Sequence, residues 1–286
     1  MSQKIKKRLL VTGASGNLGL EFVRQYKDTY QIVGSDLKQN DSFPSGVEFV
    51  VADISQPGDC YALFEQSLQL MGGIDIFVHC GAVSAPGKDQ ILTFEVNARG
   101  TFYLLQACVL NKVSKVVLVT SGWVQGLPSP EISPRRLPID ESTIGLYKDV
   151  YHISKKFNED NGRMHVENGQ IASLVSLRYG GIINVNKDGL KALSTDPYWT
   201  RLPLEDAAVA LACAVEFKDK GFHYFLIGSK FRYNELGALE EKDDLKKKLV
   251  KHGYEDMLGI LENHVPGKQT FDLSKSFQQL KFHPRW

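Results

Sequence analysis

The stretch that decides the fold is TGASGNLG at residues 12–19. It follows a short apolar run at residues 9–11 and opens a segment of helical periodicity. The glycines of such a GxxGxxG turn let the backbone turn tightly, and the N–H groups and dipole of the following helix attract negative charge. The turn therefore predicts a pyrophosphate site between a first strand and a first helix. A purely structural glycine turn is the alternative.

The rest of the chain repeats this strand-then-helix order. The predicted strands cover residues 9–12, 31–35, 48–51, 74–79, 116–120, 171–177 and 223–227, and the predicted helices cover residues 18–26, 60–70, 91–110, 150–166 and 204–217. Such alternation is typical of βαβ units in a parallel sheet. We predict an α/β fold with a doubly wound parallel sheet, the Rossmann fold. A dinucleotide-binding domain is expected over residues 1–180, and a mixed substrate-binding region with returning strand and helix elements over residues 181–286.

The amino-acid composition restricts the kinds of partner that this protein is expected to bind. The 34 basic and 33 acidic side chains nearly cancel, so no overall field attracts nucleic acid or an anionic membrane, and a small polar substrate is favoured. Nowhere do about 18 apolar residues follow one another, so no membrane span is expected. The apolar run behind the basic residues 4–8 is too short for a signal peptide. We expect four reduced thiols, no metal site and a cytoplasmic protein, because no CxxC pair occurs among Cys60, Cys80, Cys108 and Cys213.

Two acidic residues follow predicted strands. Asp36 ends the second strand, close to the expected ~20 residues after the glycine turn. A carboxylate there accepts hydrogen bonds from both ribose hydroxyls and repels a 2′-phosphate, which predicts NAD and disfavours NADP. Asp53 follows the third strand, where its carboxylate and the Ile54 backbone could meet an adenine edge. For both aspartates the alternative is capping of the adjacent turn or helix.

A YxxxK pair, Tyr151 and Lys155, begins the predicted helix at 150–166. Positions i and i+4 share a helix face, so we expect the ammonium to stabilise the phenolate and to lower the tyrosine pKa from about 10. Tyr151 could then exchange a proton with a substrate hydroxyl or carbonyl. Ser121 ends the strand at 116–120 and could hydrogen-bond the reacting oxygen, the alternative being a cap of the next turn.

Taken together, these motifs resemble the extended short-chain dehydrogenase/reductase family, also called the NAD-dependent epimerase/dehydratase family. The resemblance covers about residues 8–215 and includes VHCGA at 78–82, VNARGT at 96–101, LVTSG at 118–122 and YHISK at 151–155. It implies bound NAD and the catalytic set Ser121, Tyr151 and Lys155. It also implies a cofactor site formed by Gly13, Ser15, Gly16, Asn17, Leu18, Gly19, Asp36, Asp53, Ile54, Gly81, Ala82, Asn97, Tyr151 and Lys155.

Further roles rest on the same resemblance. Asn97 is expected to support the active-site backbone or a water relay, the alternative being a helix N-terminal cap. His79 matches a strand position of the family without a metal role. Family members commonly dimerise through the helices at 91–110 and 150–166, which implies a homodimer.

The substrate is suggested by two shorter stretches. HCGAVS at 79–84 and SLRYGG at 176–181 are similar to uronate dehydrogenases, which implies that Ser84 and Arg178 contact the substrate, Arg178 as a carboxylate clamp. Trp123 is expected to replace an aromatic contact of the family. The Ser-Ser-Asn-His segment of uronate dehydrogenases reads TSGW at 120–123 here, and Arg178 as an ion-pair partner or phosphate ligand remains open.

The predicted function is NAD-dependent hydride transfer to or from a sugar, a sugar acid or a related small hydroxyl compound. A nucleotide-sugar epimerase or dehydratase is the second reading, although such epimerases usually have longer C-terminal domains than 286 residues allow. A non-catalytic dinucleotide sensor is the third. The proline-containing loop at 127–146 is expected to cover the active site. The mixed-charge run at 240–251 is expected to form a surface helix.

Overall fold

The computed structural model describes residues 6–84, 89–125, 139–143, 145, 147, 149–184, 201–229, 247, 250 and 271–285. Seven strands form one sheet: β1 Arg8–Thr12, β2 Gln31–Asp36, β3 Glu48–Val51, β4 Ile76–His79, β5 Lys115–Ser121, β6 Ser173–Tyr179 and β9 Gly221–Ile227. Their order is β3-β2-β1-β4-β5-β6-β9, and every pairing is parallel. The predicted doubly wound sheet is confirmed. A second, two-stranded sheet pairs β7 Ile182–Ile183 with β8 Leu202–Pro203.

Helices lie on both faces of the seven-stranded sheet. They are α1 Asn17–Tyr26, α2 Pro57–Met71, α3 Gln90–Thr93, α4 Thr101–Leu110, α5 Val150–Glu167 and α6 Leu204–Glu216. Side chains alternate along β1, so Leu9 and Val11 enter the core beneath α1 and α6, while Leu10 enters the core beneath α2 and α4. No helix among the described residues is long and apolar enough to cross a membrane.

The predicted helix at 91–110 has a different internal structure from the one expected. Between α3 and α4 the chain forms a π-helical turn, Phe94–Gly100. A β-carbon on Gly100 would lie 2.5 Å from the Ile54 carbonyl oxygen, so this turn presses against the loop after β3. Single π turns of this kind are frequent at functional sites.

Strand ends differ from the prediction by one or two residues, for local reasons. β6 begins at Ser173 and not at 171, because the amide of Ile171 still donates to the His165 carbonyl at the end of α5. β4 begins at Ile76 and not at 74; the Asp75 amide donates to the Arg8 carbonyl at 2.9 Å, and the Asp75 carboxylate accepts from the Arg8 amide and side chain.

The free edge of the sheet at β9 is closed by side chains. Glu141 Oε1 accepts from the Leu226 amide at 3.1 Å, and Lys275 Nζ donates to the Tyr224 carbonyl at 2.8 Å. The Ser276 hydroxyl donates to the Leu226 carbonyl. An exposed edge would present unpaired backbone groups to other chains, so these contacts protect it.

Residues 204–227 belong to the same sheet domain, because β9 pairs with β6 and α6 packs on α1. The predicted division near residue 180 stays a prediction. The expected surface helix at 240–251 lies outside the described residues, apart from Lys247 and Val250, which are helical. The four cysteines are free thiols; Cys60 and Cys108 are buried, and Cys80 and Cys213 are half-buried.

Candidate active site

The glycine turn is held against the backbone that follows β4. Gly13 has a φ of +71°, and a β-carbon there would lie 2.5 Å from the Gly81 amide nitrogen. A β-carbon on Gly19 would lie 2.2 Å from the Gly13 carbonyl oxygen. These approaches explain why glycine occupies both positions. The turn lies where the strand order reverses between β1 and β4, which is where open α/β sheets bind ligands.

The N-terminus of α1 has the character of an anion site. Gly16 is the N-cap, no side chain caps this helix, and its first turn carries no acidic residue. Gly16 and Asn17 are exposed, whereas Leu18 and Gly19 are buried. Helix N–H groups left without a side-chain acceptor suit a pyrophosphate.

Asp36 is placed beside this turn. Its Oδ2 accepts from the Ser15 amide at 3.0 Å, and its Oδ1 accepts from the Leu37 amide at 2.8 Å. The Ser15 hydroxyl donates to the Lys38 carbonyl at 2.7 Å and accepts from the Asn40 amide at 3.0 Å. The loop after β2 is thereby fastened to the glycine turn, and the carboxylate stands half-buried at the end of β2.

The Asp53 carboxylate hydrogen-bonds within its own turn. Its Oδ1 accepts from the Ser55 amide at 2.9 Å, which is the capping arrangement left open above. Ile54 does reach the predicted neighbourhood, since its Cδ1 would lie 3.2 Å from a β-carbon on Gly81. Gly81 and Ala82 follow β4 and are half-buried.

Asn97 lies in the π turn and is fully buried. Its Oδ1 accepts from the Val83 amide at 2.8 Å, and its Nδ2 donates to the Val83 carbonyl at 3.0 Å. The side chain of Asp89, not that of Asn97, caps α3. Asn97 therefore holds the backbone between the predicted cofactor residues and Ser84, which follows Val83 and is exposed.

A buried hydrogen-bond chain through His79 supports the same region. The Thr101 hydroxyl donates to the Asn97 carbonyl at 2.6 Å, so its oxygen must accept from His79 Nε2 at 2.9 Å. His79 Nδ1 then accepts the Thr12 hydroxyl at 2.7 Å. Burial, with the charge of Lys155 as a second cause, lowers the pKa of His79 to about 3. A neutral Nε2–H imidazole thus links β1, β4 and α4.

The three predicted catalytic residues converge where the carboxyl end of β5 meets the first turns of α5. Tyr151 and Lys155 share a face of α5, with Lys155 Nζ 5.8 Å from the Tyr151 ring centroid. Lys155 Nζ donates to the Val119 carbonyl at 3.2 Å, two residues before Ser121. The Trp123 amide donates to the Ser121 hydroxyl oxygen at 3.2 Å.

The expected lowering of the Tyr151 pKa is not found. Burial raises the pKa of Tyr151 above its ordinary value of 10.0, a hydrogen bond with the Ser121 side chain opposes this, and the negative charge of Asp149 adds to it. Burial also lowers the pKa of Lys155 to about 8. The reason for the difference is desolvation, which disfavours the charged form of both groups.

Of the predicted substrate residues, Trp123 lies beside the catalytic residues, whereas Arg178 forms an ion pair within the protein. The Trp123 ring is half-buried and stands 4.8 Å from the His152 ring, centroid to centroid, next to Tyr151. Arg178 is 5% exposed and bonds Glu159 through Nε at 2.8 Å and Nη2 at 2.7 Å. Its Nη1 donates to the Glu141 carbonyl at 2.9 Å. All three nitrogens are thus engaged within the protein, which is the ion-pair alternative.

Sequence reasoning missed Glu159, Thr101 and Thr120. Glu159 lies four residues after Lys155, a spacing that could have revealed it, whereas the threonines carry no local signal. The segment 126–138, which includes most of the proline-containing loop, lies outside the described residues. Gln125, which precedes that loop, bonds the Asp140 carbonyl.

The site fits NAD on its own geometry, through the uncapped N-terminus of α1 and the carboxylate of Asp36. Residues 9–181 match the model of the NAD dependent epimerase/dehydratase family. An L-arabinose 1-dehydrogenase (NAD(P)(+)) of Haloferax volcanii is 22% identical over 187 residues, which are 63% of this chain and 69% of that protein.

Two solved structures are similar in fold. The UDP-glucose 4-epimerase of Thermus thermophilus, in complex with NAD, has a TM-score of 0.69 and 19% identity, covering 97% of this chain and 94% of that one. A mutated uronate dehydrogenase has a TM-score of 0.64 and 19% identity, covering 98% of this chain and 87% of that one. Because the epimerase is covered almost completely, the expected difference in length does not separate epimerases from dehydrogenases.

Proposed function

This chain belongs to the NAD-dependent epimerase/dehydratase family and uses NAD, and from that premise we propose that it oxidises or reduces a sugar, a sugar acid or a related small hydroxyl compound with net hydride transfer. The proposal rests on one observation. Ser121, Tyr151 and Lys155 converge at the carboxyl end of β5, at the same end of the strands as the glycine turn. A protein that only senses the dinucleotide has no use for this set.

In the oxidative direction the substrate loses the proton of its hydroxyl group and a hydride from the carbon that bears this group. The bound nicotinamide supplies the hydride acceptor. Because burial raises the pKa of Tyr151, its phenol must ionise before it can act as a base; the charge of Lys155, and that of oxidised NAD when bound, would favour the phenolate. The phenolate then takes the hydroxyl proton of the substrate, and a carbonyl group forms on the substrate. We propose that the Ser121 hydroxyl, whose side chain counteracts the rise in the Tyr151 pKa, donates to the reacting oxygen.

Lys155 has two tasks in this proposal. Its bond to the Val119 carbonyl holds α5 against β5, and its positive charge favours the phenolate during the reaction. A pKa of about 8 lets Lys155 change protonation state near neutral pH, so it can pass on the proton that Tyr151 receives. Asp36 is proposed to accept from the ribose hydroxyls.

The substrate class is inferred from a relative of this chain. The arabinose dehydrogenase relative acts, by its name, on a free sugar with NAD(P). We propose that Ser84 and Trp123 contact the substrate, and that the region after residue 181 completes the pocket. Arg178 is left out of this set, because Glu159 and Glu141 occupy its nitrogens.

To test the proposal, the protein is incubated with aldoses, hexuronic acids and other small hydroxyl compounds in the presence of NAD, and with NADP in parallel. The absorbance of the reduced cofactor is followed. Net NADH with one compound class supports the dehydrogenase. Absence of net NADH, together with NAD retained on the purified protein and interconversion of a nucleotide sugar, would replace it with an epimerase, in which the hydride returns to the substrate.

We also propose a homodimer. α5 packs against α3 and the π turn, and these neighbouring elements expose large apolar side chains. The exposed side chains of α5 follow helical spacing. An exposed apolar surface of this kind marks an association site. The surface comprises Ile91, Leu92 and Phe94 from α3 and the π turn, and Ile153, Phe157 and Met164 from α5.

The proposed location is the cytoplasm, and the proposed partner is a small molecule and neither nucleic acid nor membrane. Four free thiols suit a reducing compartment, and a net charge of +1 provides no general attraction for polyanions. Fractionation of the source cells, with activity followed in each fraction, tests the location.

A further inference from the structure

The buried carboxylate of Glu159 joins the helix that carries Tyr151 to the strand that carries Ser121. Glu159 is 2% exposed and lies one helical turn after Lys155. Its Oε1 accepts from the Ser176 hydroxyl at 2.8 Å and lies 3.1 Å from the Thr120 hydroxyl, which also lies 2.7 Å from the Ser176 hydroxyl and 3.2 Å from the Leu177 carbonyl. Thr120 immediately precedes Ser121 in β5, so one carboxylate reaches both halves of the catalytic set.

The charge of Glu159 is balanced from β6. Arg178 donates to both carboxylate oxygens and, through Nη1, to the Glu141 carbonyl ahead of α5. The Arg178 guanidinium carbon also stands 4.3 Å from the centroid of the Tyr224 ring in β9. The pair therefore connects α5 with β5, β6, β9 and the segment that leads into α5.

A buried ion pair is weak evidence for stability, because desolvation offsets much of the attraction between the charges. In some proteins buried polar groups are retained because they fix one conformation. Here the bonds end on the residue before Ser121 and on the helix of Tyr151, where an error of about 1 Å can cost roughly a hundredfold in rate.

We propose that the Glu159–Arg178 pair, acting through Thr120, is a positioning unit that sets the Ser121 hydroxyl against the Tyr151 phenol. The inference rests on the proposed function for its meaning. Its geometry is independent of turnover, since the bonds that join Glu159 to Thr120 and to Arg178 lie within the protein itself.

Two isosteric changes provide a matched pair. Thr120→Val removes the hydroxyl that reaches Glu159 and Ser176, whereas Ser173→Ala removes a buried hydroxyl of β6 that bonds the Asp219 carbonyl; neither change leaves a charge without a partner. Thr120 adjoins Ser121, whereas Ser173 lies on β6 opposite Lys115. A purely structural role predicts equal effects of the two changes. Glu159→Gln is a less suitable first variant, because an unpaired buried Arg178 can prevent folding.

The readout is the ¹³C shift of the Tyr151 ζ-carbon in tyrosine-labelled protein near neutral pH, assigned by its loss in Tyr151→Phe. Ser121→Ala defines the shift without the serine hydroxyl. We expect Thr120→Val to move the signal at least half of the way toward that value, and Ser173→Ala to leave it at the wild-type position. Equal shifts in the two variants, or no shift in either, would overturn the proposal.

Turnover provides the second readout. We expect Thr120→Val to lower kcat by roughly tenfold with an unchanged KM for NAD, because geometry and not cofactor binding is disturbed. If the wild type showed no turnover while the shift pattern held, the proposed function would fail and the positioning unit would stand. If the wild type turned over but both variants gave the same shift, only the positioning unit would fail.

Discussion

The carboxylate of Asp36 accepts a hydrogen bond from the Ser15 amide at 3.0 Å, so the residue that should select the cofactor is attached to the turn that should hold its phosphates. The end of β2 and the start of α1 are thereby one unit. Changes at Asp36 are expected to affect cofactor choice and the position of the glycine turn together, unless the substituted side chain keeps the amide bond.

Asp36→Asn keeps an oxygen for the Ser15 amide and removes the charge that repels a 2′-phosphate. We expect the preference for NAD over NADP, measured as the ratio of dissociation constants, to fall about tenfold, which corresponds to about 1.4 kcal/mol. Asp41→Asn is the matched control, since Asp41 is an exposed aspartate of the same loop. An unchanged ratio in Asp36→Asn would remove this residue from cofactor selection.

Gly19→Ala tests the close approach of α1 to the turn. The new β-carbon would meet the Gly13 carbonyl oxygen at 2.2 Å, and backbone must move to relieve that contact. We expect a loss of about 1–3 kcal/mol in the free energy of unfolding, and weaker NAD binding. Urea unfolding and NAD titration measure both quantities.

The control for Gly19→Ala is Gly58→Ala, in the first turn of α2, where nothing lies within 4 Å of the added carbon. This variant should be at least as stable as the wild type, since alanine is the better helix former, and should keep the wild-type affinity for NAD. Similar losses in both variants would indicate a general cost of replacing helical glycines and no special role for residue 19.

His79 predicts a pH dependence of stability. Its pKa is about 3 in the folded protein and near 6.5 when unfolded, so below pH 6.5 the unfolded chain binds a proton that the folded protein excludes. Stability from this group is therefore present above pH 6.5 and is lost as the pH falls toward 3. Between pH 7 and pH 5 the loss amounts to about 2 kcal/mol.

His79→Gln lacks the titrating imidazole and should lose correspondingly less stability over that interval. Urea unfolding of both proteins at the two pH values gives the difference, in which contributions from all other groups cancel. The same slope in both proteins would show that His79 is protonated in the fold, contrary to the Nε2–H imidazole described above.

The sequence predicts those features of the site that arise from interactions between residues close together in the chain. The glycine turn, the Asp36 strand end and the YxxxK spacing are local patterns, so they place strands and helices within a few residues. The π turn at Asn97 depends on contacts with Val83 and Ile54, which are distant in the sequence. No helical periodicity reports those contacts.

Two chemical expectations depend on burial, which spacing does not reveal. The YxxxK spacing predicts that Lys155 dominates the pKa of Tyr151, but desolvation raises that pKa. Resemblance assigns Arg178 to a substrate carboxylate, whereas the structure pairs it with Glu159 on the facing helix. In both cases the tertiary neighbour, and not the motif, decides the electrostatics.

Phe157→Asp tests the proposed dimer. A charge in the exposed apolar surface of α5 should prevent association, because an aspartate buried at the interface would lack a partner. Light scattering after size-exclusion chromatography should give the mass of one chain for this variant and of two chains for the wild type. Leu70→Asp, an exposed leucine of α2, should remain dimeric. A monomeric wild type would contradict the proposed assembly.

The central claim is that Tyr151 exchanges the substrate proton during NAD-dependent hydride transfer, and the most direct measurement compares Tyr151→Phe with wild type in NADH formation and in NAD binding. The account predicts a loss of about a hundredfold or more in kcat with a nearly unchanged dissociation constant for NAD, since only the phenolic hydroxyl is removed. Retention of wild-type kcat by Tyr151→Phe would contradict it.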